Sequence, residues 1–296
     1  MGGLAAPPRQ AAGASLRPGT VFFKLTGSGN DFVALDGGSV RASDVTPLLV
    51  AALCDRRHGV GADGLMLLEP QGGDPVHFIF RFWNSDGSEG PMCGNGALCA
   101  TRLAATIGMA PSDGEIRIGT AAGVHRGWLV GQNQSEIELP DCDLPEPRPA
   151  VATLPGELAP MVGVPSVPHL VLEVADLDGV DVMRRGPLLR HDPALGLWGA
   201  NVNWIGRVAD GGWRMRTYER GVEGETLACG TGAVACALSL GVKGTAKPPV
   251  RIWTKSGLPL DVSWEPRNGR ATSIRLTGEG RVVFRGVLSS LPTISS

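Results

Sequence analysis

Two segments of this 296-residue chain follow one plan. Residues 93–108 read CGNGALCATRLAATIG, and residues 229–241 read CGTGAVACALSLG. Each opens on Cys-Gly-x-Gly, continues as an apolar stretch (Ala97–Ile107 or Ala233–Leu240) and closes on a glycine. A helix that is apolar on nearly every face belongs in a core, and glycine is a common helix stop. Downstream, IRIGTAAG places Thr120 after Cys93 at nearly the interval that separates Thr254, in VRIWTKSG, from Cys229. Each of these strands then leads to another, VHRGWLV or LPLDVSW. Repeats this long are duplicated domains rather than solenoid units. The expected fold is α+β: two pseudo-symmetric domains, each a curved antiparallel-rich sheet wrapped around a central apolar helix, with the active site in the cleft between them.

The remaining segments fill out this plan. VFFKLTGSGNDFVALD, Val21–Asp36, reads as two strands around a Gly-rich turn. Thr46–Asp55 reads as a helix, with Thr46 as cap and Pro47 at the first helical position. Strands are expected at His77–Asn84, Glu115–Leu129 and Ser135–Leu139, then at Leu170–Val174, Asn201–Ile205 and Trp213–Tyr218. Three more follow at Val250–Lys255, Pro259–Trp264 and Ser273–Leu276. The Pro-rich stretch LPDCDLPEPRPAVATLP reads as an interdomain linker. The division is a loose leader over 1–20, an N-terminal half over 21–142 and a C-terminal half over 143–276. Residues 277–296 form a closing segment that is open to returning to the first half.

Bulk properties exclude several roles. The formal net charge is −2 and no basic stripe occurs, which disfavours nucleic acid or an anionic membrane as partner. The longest wholly apolar run, Leu48–Cys54, is far below the ~18 residues of a membrane span. The first twenty residues lack the apolar segment of a signal peptide, so a cytoplasmic setting is expected. Six cysteines, at 54, 93, 99, 142, 229 and 236, form no Cys-x-x-Cys pair and have no His pair at zinc spacing, so no metal is expected. A disulfide framework is a poor fit to so long a chain. Gly27-Ser28-Gly29-Asn30 lacks the third glycine and following helix of a dinucleotide loop, and no P-loop occurs. No cofactor is expected.

The chemistry then lies in the two turns. A helix N-terminus presents amides without acceptors and a partial positive charge. A cysteine placed there has its thiolate stabilised, and glycines beside it let a ligand approach the backbone. Such a turn suits a substrate carboxylate held next to a sulfur. Two of them, one on each side of a carbon, suit inversion: one thiolate removes a proton and the other thiol delivers one to the opposite face. Amides at the carboxylate would stabilise the charge that builds up. Cys99 and Cys236, inside the apolar helices, read as small core residues, as do Cys54 and Cys142.

From about Val21 to its end the chain resembles the diaminopimelate epimerases, cofactor-independent amino-acid epimerases that use two cysteines. The resemblance rests on GSGNDF (27–32), DRRHGVGADG (55–64), NSDGSEGPMCGNG (84–96), NVNW (201–204) and YERGVEGETLACGTGA (218–233). It implies Cys93 and Cys229 as the acid/base pair. Gly94-Asn95 and Gly230-Thr231 would hold the carboxylate at the reacting carbon. Asn30, Asn84, Asn201, Glu219 and Arg220 would bind the substrate's amino and carboxylate groups, and His169 and Glu219 would tune the cysteines. It further implies a homodimer acting on a small amino acid in lysine and peptidoglycan precursor synthesis. Asn can serve ammonium or carboxylate, and Arg suits a bidentate carboxylate contact, so the residue chemistry agrees.

Several positions depart from the family pattern. Ser166-Val167-Pro168-His169 stands where Gly-Asn-Pro-His is usual, and Val167 has no side-chain hydrogen bond to give. Leu98 replaces an arginine, and Gly64 stands where many members carry glutamine. The Arg220-to-Cys229 interval is one residue longer than the commonest form. Losing one buried polar partner costs about 1–3 kcal/mol, enough to change substrate preference without altering the reaction. Two alternatives therefore accompany the leading reading: a two-cysteine epimerase of another amino acid, and a non-catalytic amino-acid binding protein on the same fold.

Overall fold

The computed structural model describes residues 16–90, 92–208 and 211–290. The chain forms two compact units, Met1–Ile137 with Glu279–Ser296, and Glu138–Gly278. In the first unit the strands Val21–Gly27 and Asn30–Asp36 make a hairpin whose turn residues, Ser28 and Gly29, both have positive φ. Asn30–Asp36 pairs in parallel with Gly64–Pro70, and the crossover carries helix α1, Pro47–Cys54. Thr46 caps α1 by accepting from the Leu49 N–H at 3.3 Å. The chain turns back antiparallel as Phe78–Asn84, then crosses over through helix α2, Gly94–Thr106, to a second parallel pairing at Ile116–Thr120. The antiparallel strands Gly123–Gly131 and Gln134–Leu139 follow.

A sheet with parallel crossovers is covered on both faces. Val33, Leu35, Leu65 and Leu67 pack against Leu49, Val50 and Leu53 of α1. Their neighbours Phe32, Met66 and Leu68, with Leu25 and Phe80, pack against Cys99, Ala100 and Leu103 of α2. Alternate residues of one strand thus serve two cores.

The second unit repeats the same order of pairings. Glu157–Gly163 runs antiparallel to His169–Val174, which is parallel to Asn201–Arg207 across helix α3, Val182–Arg190. Trp213–Glu219 returns antiparallel and is then parallel to Val250–Trp253 across helix α4, Gly230–Val242. Pro259–Arg267 and Arg270–Glu279 complete the antiparallel end. Helices α2 and α4 are each 13 residues long and hold the same place in their units.

Some expectations are corrected. The Pro-rich stretch is no linker but part of the second unit. Cys142–Asp143 pairs with Arg270–Ala271, and Glu146–Pro147 pairs with Met161–Val162. Proline is admissible there because the segments are two-residue edge strands with few ladder bonds to lose. The chain passes between the units at Ile137/Glu138 and Gly278/Glu279, a few residues from the expected 142/143 and 276/277. Of the expected leader, residues 1–15 lie outside the described residues. Leu16 joins the α1 core, and Gly19 and Thr20 exchange backbone hydrogen bonds with Leu288. Strands Gly64–Pro70, Glu157–Gly163 and Arg281–Val287 and helix α3 had not been expected. No helix among the described residues is long and apolar enough to cross a membrane.

Candidate active site

Both signature cysteines are helix N-caps with nearly the same backbone: φ −129°, ψ 117° at Cys93 of α2 and φ −137°, ψ 112° at Cys229 of α4. The carbonyl of each accepts from the amide four residues on, Ala97 or Ala233. Gly94-Asn95 and Gly230-Thr231 therefore occupy the first helical turn, where amides have no intrahelical acceptor and the helix dipole is positive. None of the six cysteines is in a disulfide. Burial pushes the thiols of Cys54 and Cys142 up to about 12 and about 11, and raises those of Cys99 and Cys236 as well. These four stay protonated and inert, as expected.

The turns differ in what surrounds the sulfur. The half-buried Cys93 sulfur accepts from the Gly96 N–H at 3.4 Å, capping its own helix. Beside it Asn95 is buried, and its Nδ2 donates to Asn30 Oδ1 at 2.7 Å. Asn30 is in turn oriented by Asp63, whose Oδ2 accepts from Asn30 Nδ2 at 3.1 Å. Asp63 belongs to an ionic cluster. Arg56 Nη2 donates to Asp31 Oδ1 and Asp63 Oδ1, both at 2.7 Å, and Lys24 Nζ reaches Asp31 Oδ2 at 2.5 Å. Burial alone would raise the Asp31 carboxyl, but Arg56 and Lys24 outweigh it and hold the group below the usual carboxylate range. The motifs GSGNDF and DRRHGVGADG thereby act on one asparagine at the α2 N-terminus. Gly27 fits this corner because a Cβ there would lie 2.8 Å from Cys99 Sγ and 3.0 Å from the Asn95 carbonyl.

The buried Cys229 caps no backbone amide; its sulfur lies 3.7 Å from Thr231 Oγ1. Thr231 Oγ1 is 2.9 Å from Nε2 of the fully buried His169. On the other side of the ring, Asn203 Nδ2 is 3.1 Å from His169 Nδ1 and also donates to the Leu170 carbonyl at 3.0 Å. Thr217 donates to Asn203 Oδ1 at 2.9 Å. Burial first, and the Arg220 charge second, lower His169 from 6.5 to about 3, so its ring is neutral near pH 7. Asn201 Oδ1 accepts from the Arg220 N–H at 2.7 Å, fixing the start of the loop that leads to Cys229. Gly232 has no room for a side chain, since a Cβ would sit 2.5 Å from Asn203 Oδ1.

Each sequence-predicted residue thus has a place. Asn30, Cys93, Gly94 and Asn95 come together in the first unit, and His169, Asn201, Arg220, Cys229, Gly230 and Thr231 in the second. Asn84, exposed at a strand end, is paired across the sheet with Gly64, the neighbour of Asp63, and its Nδ2 donates to Ser88 Oγ at 3.0 Å. Glu219 is the last residue of Trp213–Glu219 and is half-buried. Of the departures, Leu98 is fully buried, and Val167 is half-buried. At Gly64 a Cβ would lie 2.6 Å from both the Phe82 ring and the Trp83 carbonyl, so no larger residue fits. Sequence reasoning missed Asn203 and the cluster of Lys24, Asp31, Arg56 and Asp63. A signal for Asn203 existed: the period of two along a strand puts it on the same face as Asn201.

The diaminopimelate epimerase family model matches residues 22–137 and 161–283. The chain belongs to the diaminopimelate epimerase family. It is therefore an isomerase. A diaminopimelate epimerase of Gemmatimonas aurantiaca is 43% identical over 91% of this chain and 99% of its own length. Another, from Aquifex aeolicus, is 37% identical over 90% and 97%. Among solved structures the fold is shared with a hydroxyproline epimerase from Agrobacterium vitis (TM-score 0.67, 16% identity, covering 94% and 95%). A phenazine biosynthesis protein of the PhzF family from Bacillus anthracis also shares it (TM-score 0.69, 12% identity, covering 90% and 98%). The first matched stretch falls in the first unit, and the second covers most of the second unit before running a few residues into the returning strand.

Proposed function

We propose that the chain interconverts LL- and meso-2,6-diaminopimelate, without a cofactor, by moving the α-proton between two sulfurs, with Cys93 and Cys229 as the acid/base pair. The observation that carries the reading is the matched pair of cysteine N-caps on 13-residue buried helices, with φ and ψ agreeing within 10°. Two-base inversion at carbon uses one acid/base group on each face, and duplication supplies a pair. The amides of Gly94-Asn95 and Gly230-Thr231 suit the carboxylate at the reacting carbon, where negative charge grows as the proton leaves. Asn30, Asn84, Asn201, Glu219 and Arg220 supply donors and acceptors for the zwitterionic substrate. His169, being neutral, acts on its surroundings as a hydrogen-bonding ring and not as a charge. A cytoplasmic homodimer completes the reading, as the family resemblance implies.

Incubation in D₂O with LL- or meso-diaminopimelate tests it. Deuterium is expected at the α-carbon, and both Cys93→Ala and Cys229→Ala should lower epimerisation by about a thousandfold. Exchange confined to another amino acid would overturn the substrate. Full turnover by either variant would overturn the two-base mechanism.

A further inference from the structure

The two sulfurs are served differently, and the difference points to a residue without an assigned role. We propose that Asn203 is a positioning residue that fixes His169 as its Nε2–H tautomer and thereby directs the Thr231 hydroxyl proton onto the Cys229 sulfur. The proposal rests on the functional reading only in taking Cys229 as an acid/base group.

The direction follows from what each atom can do. The Leu170 carbonyl only accepts, so the carboxamide nitrogen of Asn203 must face it, at 3.0 Å. Thr217, whose hydroxyl can donate or accept, completes that orientation by donating to Asn203 Oδ1 at 2.9 Å. The second hydrogen on Asn203 Nδ2 then points at His169 Nδ1, 3.1 Å away, which must be the ring's acceptor. A neutral imidazole has one acceptor and one N–H, so the proton resides on Nε2. From there it is donated to Thr231 Oγ1 at 2.9 Å. Asn201 Nδ2 also lies 3.4 Å from Nε2, but with both atoms bearing hydrogen they do not bond. The Pro168 carbonyl, at 3.5 Å, is the acceptor on that side of Asn201. Thr231, its oxygen occupied by an incoming hydrogen bond, has its own proton left for the sulfur at 3.7 Å. A donor aimed at sulfur favours thiolate over thiol. Gly232 is part of the device, because a side chain there would displace the Asn203 carboxamide.

The first unit serves its sulfur with a different donor. Cys93 accepts directly from a backbone amide, and Asn95 takes the place of Thr231. The pair of acid/base groups is built with two different donors, one fixed in the backbone and one adjustable through a side-chain chain.

Alkylation of Cys229 by iodoacetamide, followed across pH by mass spectrometry of its peptide, reads its ionisation whatever the enzyme's substrate. The titratable and charged groups named around the turn are His169, Glu219 and Arg220, and Thr231→Val changes none of them. Thr231→Val is expected to raise the alkylation midpoint of Cys229 by about one pH unit and leave Cys93 unmoved, while Thr231→Ser restores it. Asn203→Asp should raise the midpoint likewise, since a carboxylate takes the proton at Nδ1 and reverses the relay. In the wild-type protein, ¹⁵N NMR of His169 should show a pyridine-type Nδ1 and a pyrrole-type Nε2, a readout that needs no variant to fold. An unchanged Cys229 midpoint in Thr231→Val, or the Nδ1–H tautomer in the wild type, would overturn the proposal. A shifted midpoint in a chain that exchanges no α-proton would keep the relay and sink the functional reading instead.

Discussion

His169 is wholly buried and neutral, and that has a cost that depends on pH. Its value falls from 6.5 in an unfolded chain to about 3 in the fold, chiefly through burial. Between those limits the unfolded state takes up a proton that the native state refuses. Stability from this group is therefore full above pH 6.5 and is lost as pH falls towards 3, by up to about 1.4 kcal/mol per unit. Urea unfolding at pH 7, 6 and 5 should show this slope, and His169→Gln should lose close to one proton's worth of it. An unchanged slope would mean the ring is charged in the fold. The turn glycines give a second test. Gly232→Ala forces Asn203 aside and should cost about 1–3 kcal/mol, with most of the activity. Gly96→Ala meets only tight contacts, the nearest at 3.3 Å with Cys93 and Phe80, and should cost less in the same melts. Of the residues at this scale, the cysteines and glycines were legible because a rare motif occurs twice. Asn203 was legible only as a residue on the same strand face as Asn201; its role was not, because its partners Thr217 and His169 lie on neighbouring strands.

At the scale of elements, legibility followed periodicity. Helices α2 and α4 were evident as apolar runs between glycines, and α1 from its Thr-Pro start. The strand Gly64–Pro70 escaped because it is buried on both faces through Leu68, so the alternation that marks a strand is missing. Helix α3 escaped because Gly186 and Pro187 sit in its middle, where both residues ordinarily argue against a helix. The structure explains the glycine: a Cβ at Gly186 would lie 2.3 Å from the Tyr218 ring. An alanine in a helix interior normally gains about 1 kcal/mol over glycine, but overpacking here costs about 1–3 kcal/mol. Gly186→Ala is therefore expected to lower the melting temperature, whereas propensity alone predicts a rise. Calorimetry on the two proteins decides between them.

At the scale of the whole molecule, the chain does not finish where its second unit does. After Gly278 it returns to the first unit, and the strand Arg281–Val287 pairs antiparallel with Val21–Thr26, its Phe284 ring edge-on to Phe22 at 6.2 Å. Removing residues 281–296 would leave Val21–Gly27 with an unpaired edge. Loss of a few kcal/mol in stability and a gain in aggregation are expected, read by urea unfolding and light scattering. The sequence by itself determined the duplication, the two cysteine turns and the family, because these are carried by order and spacing along the chain. Only the tertiary structure decided what each sulfur meets: a backbone amide at Cys93, and at Cys229 a hydroxyl backed by histidine and asparagine. Those partners are assembled across strands far apart in sequence, and hydrogen-bond direction is a property of atoms in space rather than of residue order.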